Sequence, residues 1–130
     1  MPTTLKELMD AAEAAVPRVS REEAEALIAE GALVLDVRDA PELVAAGKVA
    51  GAKHVSRGML EFRADPASHL HDAELRADRP VITYCGAGGR AALAGKLLKD
   101  MGFEKVYNLG AFKDWVAAGG AVDRPLEPGM

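Results

Sequence analysis

The run Ala32-Leu33-Val34-Leu35-Asp36-Val37 is apolar at consecutive positions, not at alternate ones, and is broken by a single aspartate. A strand with one wet face alternates, so a continuous apolar run demands cover on both faces, as in a parallel sheet sandwiched between helices. Val81-Ile82-Thr83-Tyr84 follows Pro80, is of the same kind and ends at Cys85, and Lys105 to Leu109 forms a third strand. Helical segments lie between and around these runs. Leu5, Leu8, Met9, Ala12 and Val16 recur at helical spacing, with Thr4 as N-cap and Pro17 as stop. Ser20 followed three residues later by Glu23 has the capping-box pattern in front of a helical run from Ala24 to Glu30, which Gly31 closes. Pro41 to Ala46, Arg90 to Met101 and Phe112 to Ala118 are predicted as further helices, and Ala52 to Ser56 as a short strand. Arg57 to Arg79 is polar and contains Pro66; a helix around Gly58 to Arg63 followed by surface loop is expected there.

Strand and helix in repeated alternation predict an α/β class, with a mostly parallel sheet of about five strands, right-handed crossovers and helices on both faces. A chain of 130 residues, 49% hydrophobic and 28% charged, is long enough to bury a core as one domain. Residues 1–18 are expected to form a helical extension, 19–122 the domain, and 123–130, rich in Gly and Pro, a loosely held tail. The single cysteine excludes an intramolecular disulfide and every cysteine-rich zinc pattern. His69 and His71 sit in the polar loop with no third ligand beside them, so neither metal nor cofactor is expected.

The net charge is −4 and the basic residues are scattered, which argues against nucleic acid and anionic lipid as partners. No stretch approaches the roughly 20 apolar residues that span a bilayer. Lys6, Glu7, Asp10 and Glu13 interrupt the first segment, which lacks the apolar centre of a secretory signal. A cytoplasmic location and small-molecule or protein partners are the expectation.

In parallel α/β sheets ligands bind beyond the carboxyl ends of the strands, and both Asp36 and Cys85 fall at such ends. Cys85-Gly86-Ala87-Gly88-Gly89-Arg90 puts a thiol in front of three glycines and an arginine where a helix begins. Glycines allow positive φ, so that successive N–H groups turn inward and form an anion-binding concavity. The helix N-terminus adds its positive dipole end. With Arg90 these effects should favour thiolate over thiol and make Cys85 a nucleophile. Arg57 is a candidate substrate contact from the middle segment, and His54 a weaker one. Arg38 is expected either as a second pocket cation or as a surface partner of Asp39 and Glu42.

From about Val19 to Gly120 the chain resembles the single-domain rhodanese-like sulfurtransferases. The matching pieces are Leu35-Asp36-Val37-Arg38-Asp39 with Glu42, Gly47 and Gly51-Ala52 with His54, the Tyr84-Cys85 loop through Arg90, Gly102-Phe103 with Val106-Tyr107-Asn108-Leu109-Gly110, and Trp115 with Gly119-Gly120. The resemblance implies a three-layer fold and a Cys85 that takes sulfane sulfur from a donor such as thiosulfate and passes it, as a persulfide, to a thiol, cyanide or protein acceptor. It assigns Cys85, Arg90 and Asp36 to catalysis, and Gly86, Ala87, Gly88, Gly89 and Arg90 to the substrate cradle. Asp36 is expected to orient an arginine such as Arg90. The chain departs from the family in Lys48-Val49 before Gly51-Ala52, and in Ala87 and Gly89 where the loop usually carries polar residues.

Two other readings share these residues. Cysteine phosphatases and arsenate reductases use a similar loop with one more residue between cysteine and arginine; here four intervene, which leaves a smaller cradle. A non-enzymatic module would use the fold to dock a partner, against which the intact cysteine argues, or would sense oxidants through Cys85, for which an external resolving thiol would be needed.

Overall fold

The computed structural model describes residues 2–123. In chain order the elements are α1 (Leu5–Ala15), α2 (Arg21–Ala29), β1 (Leu33–Asp36), α3 (Ala40–Ala46), β2 (Lys48–Val49), β3 (Lys53–His54), a 3-10 turn at Arg57–Met59, α4 (Leu60–Ala64), β4 (Val81–Cys85), α5 (Gly89–Asp100), β5 (Val106–Ala111), α6 (Phe112–Ala117) and β6 (Val122–Asp123). Thr4 and Ser20 each cap a helix with a complete capping box, as their spacing to Glu7 and Glu23 requires.

The central sheet is parallel with strand order β3-β1-β4-β5, four strands instead of about five. A fifth strand is reduced to one bridge between Arg18 and Asn108 at the β5 edge. There the Asn108 N–H donates to the Pro17 carbonyl (2.9 Å) and the Val19 N–H to the Asn108 carbonyl (3.1 Å). The pairing stops at once because Pro17 has no N–H to offer and Ser20 already caps α2. A two-stranded antiparallel ribbon of β2 and β6 was not expected. It takes in Asp123, assigned above to the tail, whose Oδ2 accepts from the Gly51 N–H (3.0 Å). The remainder of that tail, 124–130, lies outside the described residues.

Alternation along the two central strands sorts the core into two layers. Leu33, Leu35, Val37, Val81 and Cys85 face Val16, Leu60 and Ala64, and Ala91, Ala94 and Leu98 of α5. Val34, Ile82 and Tyr84 face Ala24 of α2, Val49 of the ribbon, and Phe112 and Trp115 of α6. Each fully buried aliphatic side chain such as Leu35 or Ile82 contributes roughly 1.5–3 kcal/mol. Among the described residues no helix is long and apolar enough to cross a membrane.

On the second of these faces lies a buried ion pair. Asp36 is 0% and Arg38 2% exposed. The Arg38 guanidinium donates to both Asp36 carboxylate oxygens, from Nε to Oδ1 (3.0 Å) and from Nη2 to Oδ2 (2.7 Å), and its backbone N–H donates to Oδ1 (2.9 Å). The Tyr84 hydroxyl donates to Asp36 Oδ2 (2.6 Å) and accepts from the Val49 N–H (3.0 Å). Arg38 Nη2 also reaches the Gly47 carbonyl (2.7 Å), and its guanidinium lies 4.5 Å from the Phe112 ring centroid and 5.4 Å from that of Tyr84. Burial opposes the Arg38 charge, but the Asp36 hydrogen bonds and charge outweigh it and hold the proton more firmly than in water. Burial, reinforced by the Asp36 carboxylate, keeps the Tyr84 phenol protonated well beyond its usual range. Arg38 is therefore neither a pocket cation nor a surface partner of Asp39 and Glu42, because β1 ends on the inward face and carries it under α6.

Arg38→Met strands the Asp36 carboxylate and should lower the unfolding free energy by about 3–5 kcal/mol, while Tyr84→Phe should cost about 1–3 kcal/mol. Urea unfolding followed by tryptophan fluorescence checks both; equal and negligible losses would contradict the network's role.

Candidate active site

Cys85 ends β4 on the face covered by α5, so its side chain points beneath the first turn of that helix. The thiol is buried at 1% exposure. Two backbone N–H groups converge on Sγ, from Gly88 at 2.9 Å and from Ala91 at 3.3 Å. This is the arrangement that a negative charge carried on sulfur requires. Thr83, two residues back on the same face, ties β4 to the helix through its hydroxyl, which donates to the Ala91 carbonyl (2.9 Å).

The three glycines of the loop serve different ends. Gly88 is the N-cap of α5 with φ +104, the one loop residue in the left-handed region. Gly86 has an ordinary φ, but a Cβ there would sit 3.3 Å from both Arg90 Nη2 and Glu42 Oε2. Gly89 meets nothing within 4 Å of an added Cβ. Positive φ at every loop glycine is thus not what shapes the cradle; one turn residue and one close approach do.

Arg90 roofs the loop with a carboxylate partner that sequence reasoning missed. Its Nη1 and Nη2 donate to Glu42 Oε1 (2.6 Å) and Oε2 (2.9 Å), and Asp39 lies 3.9 Å away. Glu42 is fixed from its own helix, since Oε1 also accepts from the Asp39 N–H (3.1 Å). The Asp39-to-Glu42 spacing, that of a capping box, was the available signal. The Arg90 hydrogen bonds, opposed by burial and helped by the Asp39 amide, lower the Glu42 carboxyl from 4.5 to about 2. The same bonds, with the Cys85 and Asp39 charges, raise the guanidinium above its usual range.

Asp36 does not meet Arg90. It projects from the opposite face of the sheet to Cys85 and is taken by Arg38 and Tyr84. Arg57 is held by Glu61 (3.0 Å) and lines a groove against Leu8, Ala11 and Leu93, not the loop. His54 donates from Nε2 to the Arg38 carbonyl (2.6 Å) and borders an apolar hollow with Leu43 and Gly47. His71 Nε2 is 3.3 Å from the Leu75 carbonyl. Of the residues singled out, the structure gathers Cys85, Gly86, Ala87, Gly88, Gly89 and Arg90, and adds Glu42.

The model of the Rhodanese-like domain matches residues 20–118. The chain belongs to the rhodanese-like family. A curated relative within it is a thiosulfate sulfurtransferase, GlpE, of Pseudomonas entomophila, 37% identical over 99 residues that cover 75% of this chain and 83% of the relative. Among solved structures, the polysulfide-sulfur transferase homodimer of Wolinella succinogenes is 33% identical with a TM-score of 0.74, over 96% of this chain and 90% of that one. A Rhodopseudomonas palustris protein of unknown function, described as a possible tyrosine phosphatase, is 34% identical with a TM-score of 0.84, over 95% and 99%. This rhodanese-like chain is thus related to named sulfurtransferases along most of its length, and its central parallel sheet with helices around it is the family's fold.

With its folded pKa depressed, Glu42 contributes stability that is fully present above about pH 4.5 and is lost as pH falls toward about 2. The thermal midpoint of wild type should exceed that of Glu42→Gln at pH 6, and the gap should close as pH falls through that window. A gap that stays constant to pH 2 would contradict the assignment.

Proposed function

We propose that this protein is a sulfurtransferase that carries sulfane sulfur on Cys85, with thiosulfate or a similar small anion as donor and a thiol, cyanide or protein thiol as acceptor. The observation that carries this reading is the pair of N–H groups aimed at Sγ. The Cys85 thiolate attacks the sulfane sulfur of the donor; the sulfur–sulfur bond of thiosulfate breaks and its electron pair leaves with sulfite. Cys85 is left as a persulfide anion, and total charge is unchanged. The acceptor nucleophile then takes the outer sulfur and the thiolate returns. The amides of Gly86 to Arg90 form the cradle for the outer sulfur. Arg90, bound to Glu42, holds the loop over Gly86. Asp36 is a positioning residue: it anchors the end of β1 and so the start of α3, from which Glu42 reaches the loop.

The description of the Rhodopseudomonas protein gives a phosphatase reading its one support. Against it, four residues separate Cys85 from Arg90. The Nη1–Nη2 edge of the guanidinium that would bind a phosphate is occupied by Glu42. A loop this short suits one added sulfur better than a tetrahedral oxyanion.

Incubation with excess thiosulfate should raise the intact mass by one sulfur atom, and added cyanide should remove it as thiocyanate. Cys85→Ser should do neither while keeping its fold by circular dichroism. Thiocyanate release by the Ser variant, or hydrolysis of p-nitrophenyl phosphate by a wild type that takes up no sulfur, would sink the proposal.

A further inference from the structure

Beside the cysteine loop, on the β5 side, lies a groove of about 410 Å³. One wall is the loop itself, through Ala87, Gly88 and Gly89; the other comes from the N-terminal segment, through Met9, Glu13, Val16 and Arg18. Residues 1–19 lie outside the matched family region.

The seat of Arg18 is built, not incidental. Its guanidinium lies against Gly110, where an added Cβ would come 2.9 Å from Arg18 Cζ, and Gly110 has φ +92. Asn108, 4% exposed, holds Gly110 in that conformation by accepting its N–H at Oδ1 (2.8 Å), and β5 shifts register against β4 at this point. Gly110 in turn adjoins the loop: a Cβ on Gly88 would lie 3.8 Å from Gly110 Cα. Gly88 is the residue whose amide reaches Cys85 Sγ. Arg18, Gly110, Gly88 and the sulfur therefore form one contiguous path.

The charges on the two sides of the loop are not equivalent. Arg90 is neutralised by Glu42, with Asp39 nearby. Arg18 is exposed and takes part in none of the ion pairs among the described residues. Glu13 shares the groove and Asp114 borders Arg18 on its far side, and neither is paired with it. A cation with no ion-pair partner among the described residues, across Gly110 and Gly88 from the nucleophile, attracts the negative end of an incoming reactant.

Resting on the sulfurtransferase reading for its biological meaning, we infer that Arg18 is the residue that selects anionic reactants for Cys85, and that the donor's anionic head occupies this groove. Glu13 sets the limit of that selection by opposing it.

Alkylation of Cys85 tests this without requiring sulfur transfer, using iodoacetate as the anionic and iodoacetamide as the neutral probe. Arg18→Gln should slow iodoacetate by about three- to tenfold, as expected for loss of one partly screened charge, and leave iodoacetamide within about twofold. Arg18→Lys should retain most of the preference, and Glu13→Gln should raise the iodoacetate rate. The same ratio of the two rates in Arg18→Gln as in wild type, or equal slowing of both reagents, would overturn the inference. If the ratio shifts as expected but wild type takes up no sulfur from thiosulfate, Arg18 stands as the anion selector and the sulfurtransferase reading falls.

Discussion

The buried pair of Asp36 and Arg38 is the contact on which the site's position depends. It sits where β1 leaves the sheet, and its partners come from several elements: Tyr84 from β4, itself held by the Val49 amide of the ribbon, the Gly47 carbonyl after α3, and Phe112 from α6. Two charges in a core cost several kcal/mol of desolvation each. Here both carboxylate oxygens are bonded and the guanidinium donates from Nε and Nη2, so the cost is offset and one arrangement of α3 is selected. That arrangement brings Glu42 across to Arg90 and so closes the roof over Gly86.

The other face of the same strands holds the thiol. Tyr84 and Cys85 are consecutive, so their side chains leave β4 on opposite sides; one locks the sheet and the next sits under α5. The hydroxyl of Thr83 fixes the distance between strand and helix. The amides of Gly88 and Ala91 then reach the sulfur without any side-chain donor, which explains how a loop with Ala87 and Gly89 in place of polar residues still forms a cradle.

Much of this was legible beforehand. The continuous apolar runs at Leu33 and Val81 demanded a covered parallel sheet, and the N-cap at Thr4 and the capping box at Ser20 placed their helices. The ribbon of β2 and β6 was not legible, because two-residue strands leave no periodic pattern and the partners Val49 and Val122 are far apart in the chain. Arg38 was misplaced because a charge beside Asp39 and Glu42 looks like a surface cluster until the end of β1 is known to face inward. The partner of Arg90 depends on where α3 lies against the loop, which no local pattern encodes. Strand parity could have told Asp36 apart from Cys85: the side chain of Tyr84, the register partner of Asp36, leaves β4 on the opposite side to that of Cys85.

The proposed sulfur transfer rests on backbone geometry more than on any one charged side chain, since Arg90 is bound to Glu42 and Arg18 stands one loop width away. The most direct measurement is a crystal structure of the protein after exposure to thiosulfate. The account predicts one additional sulfur bonded to Cys85 Sγ and enclosed by the N–H groups of Gly86 to Ala91, with the Arg90–Glu42 pair unbroken. An unmodified Sγ with an intact oxyanion filling the loop and Arg90 turned onto it would contradict the account.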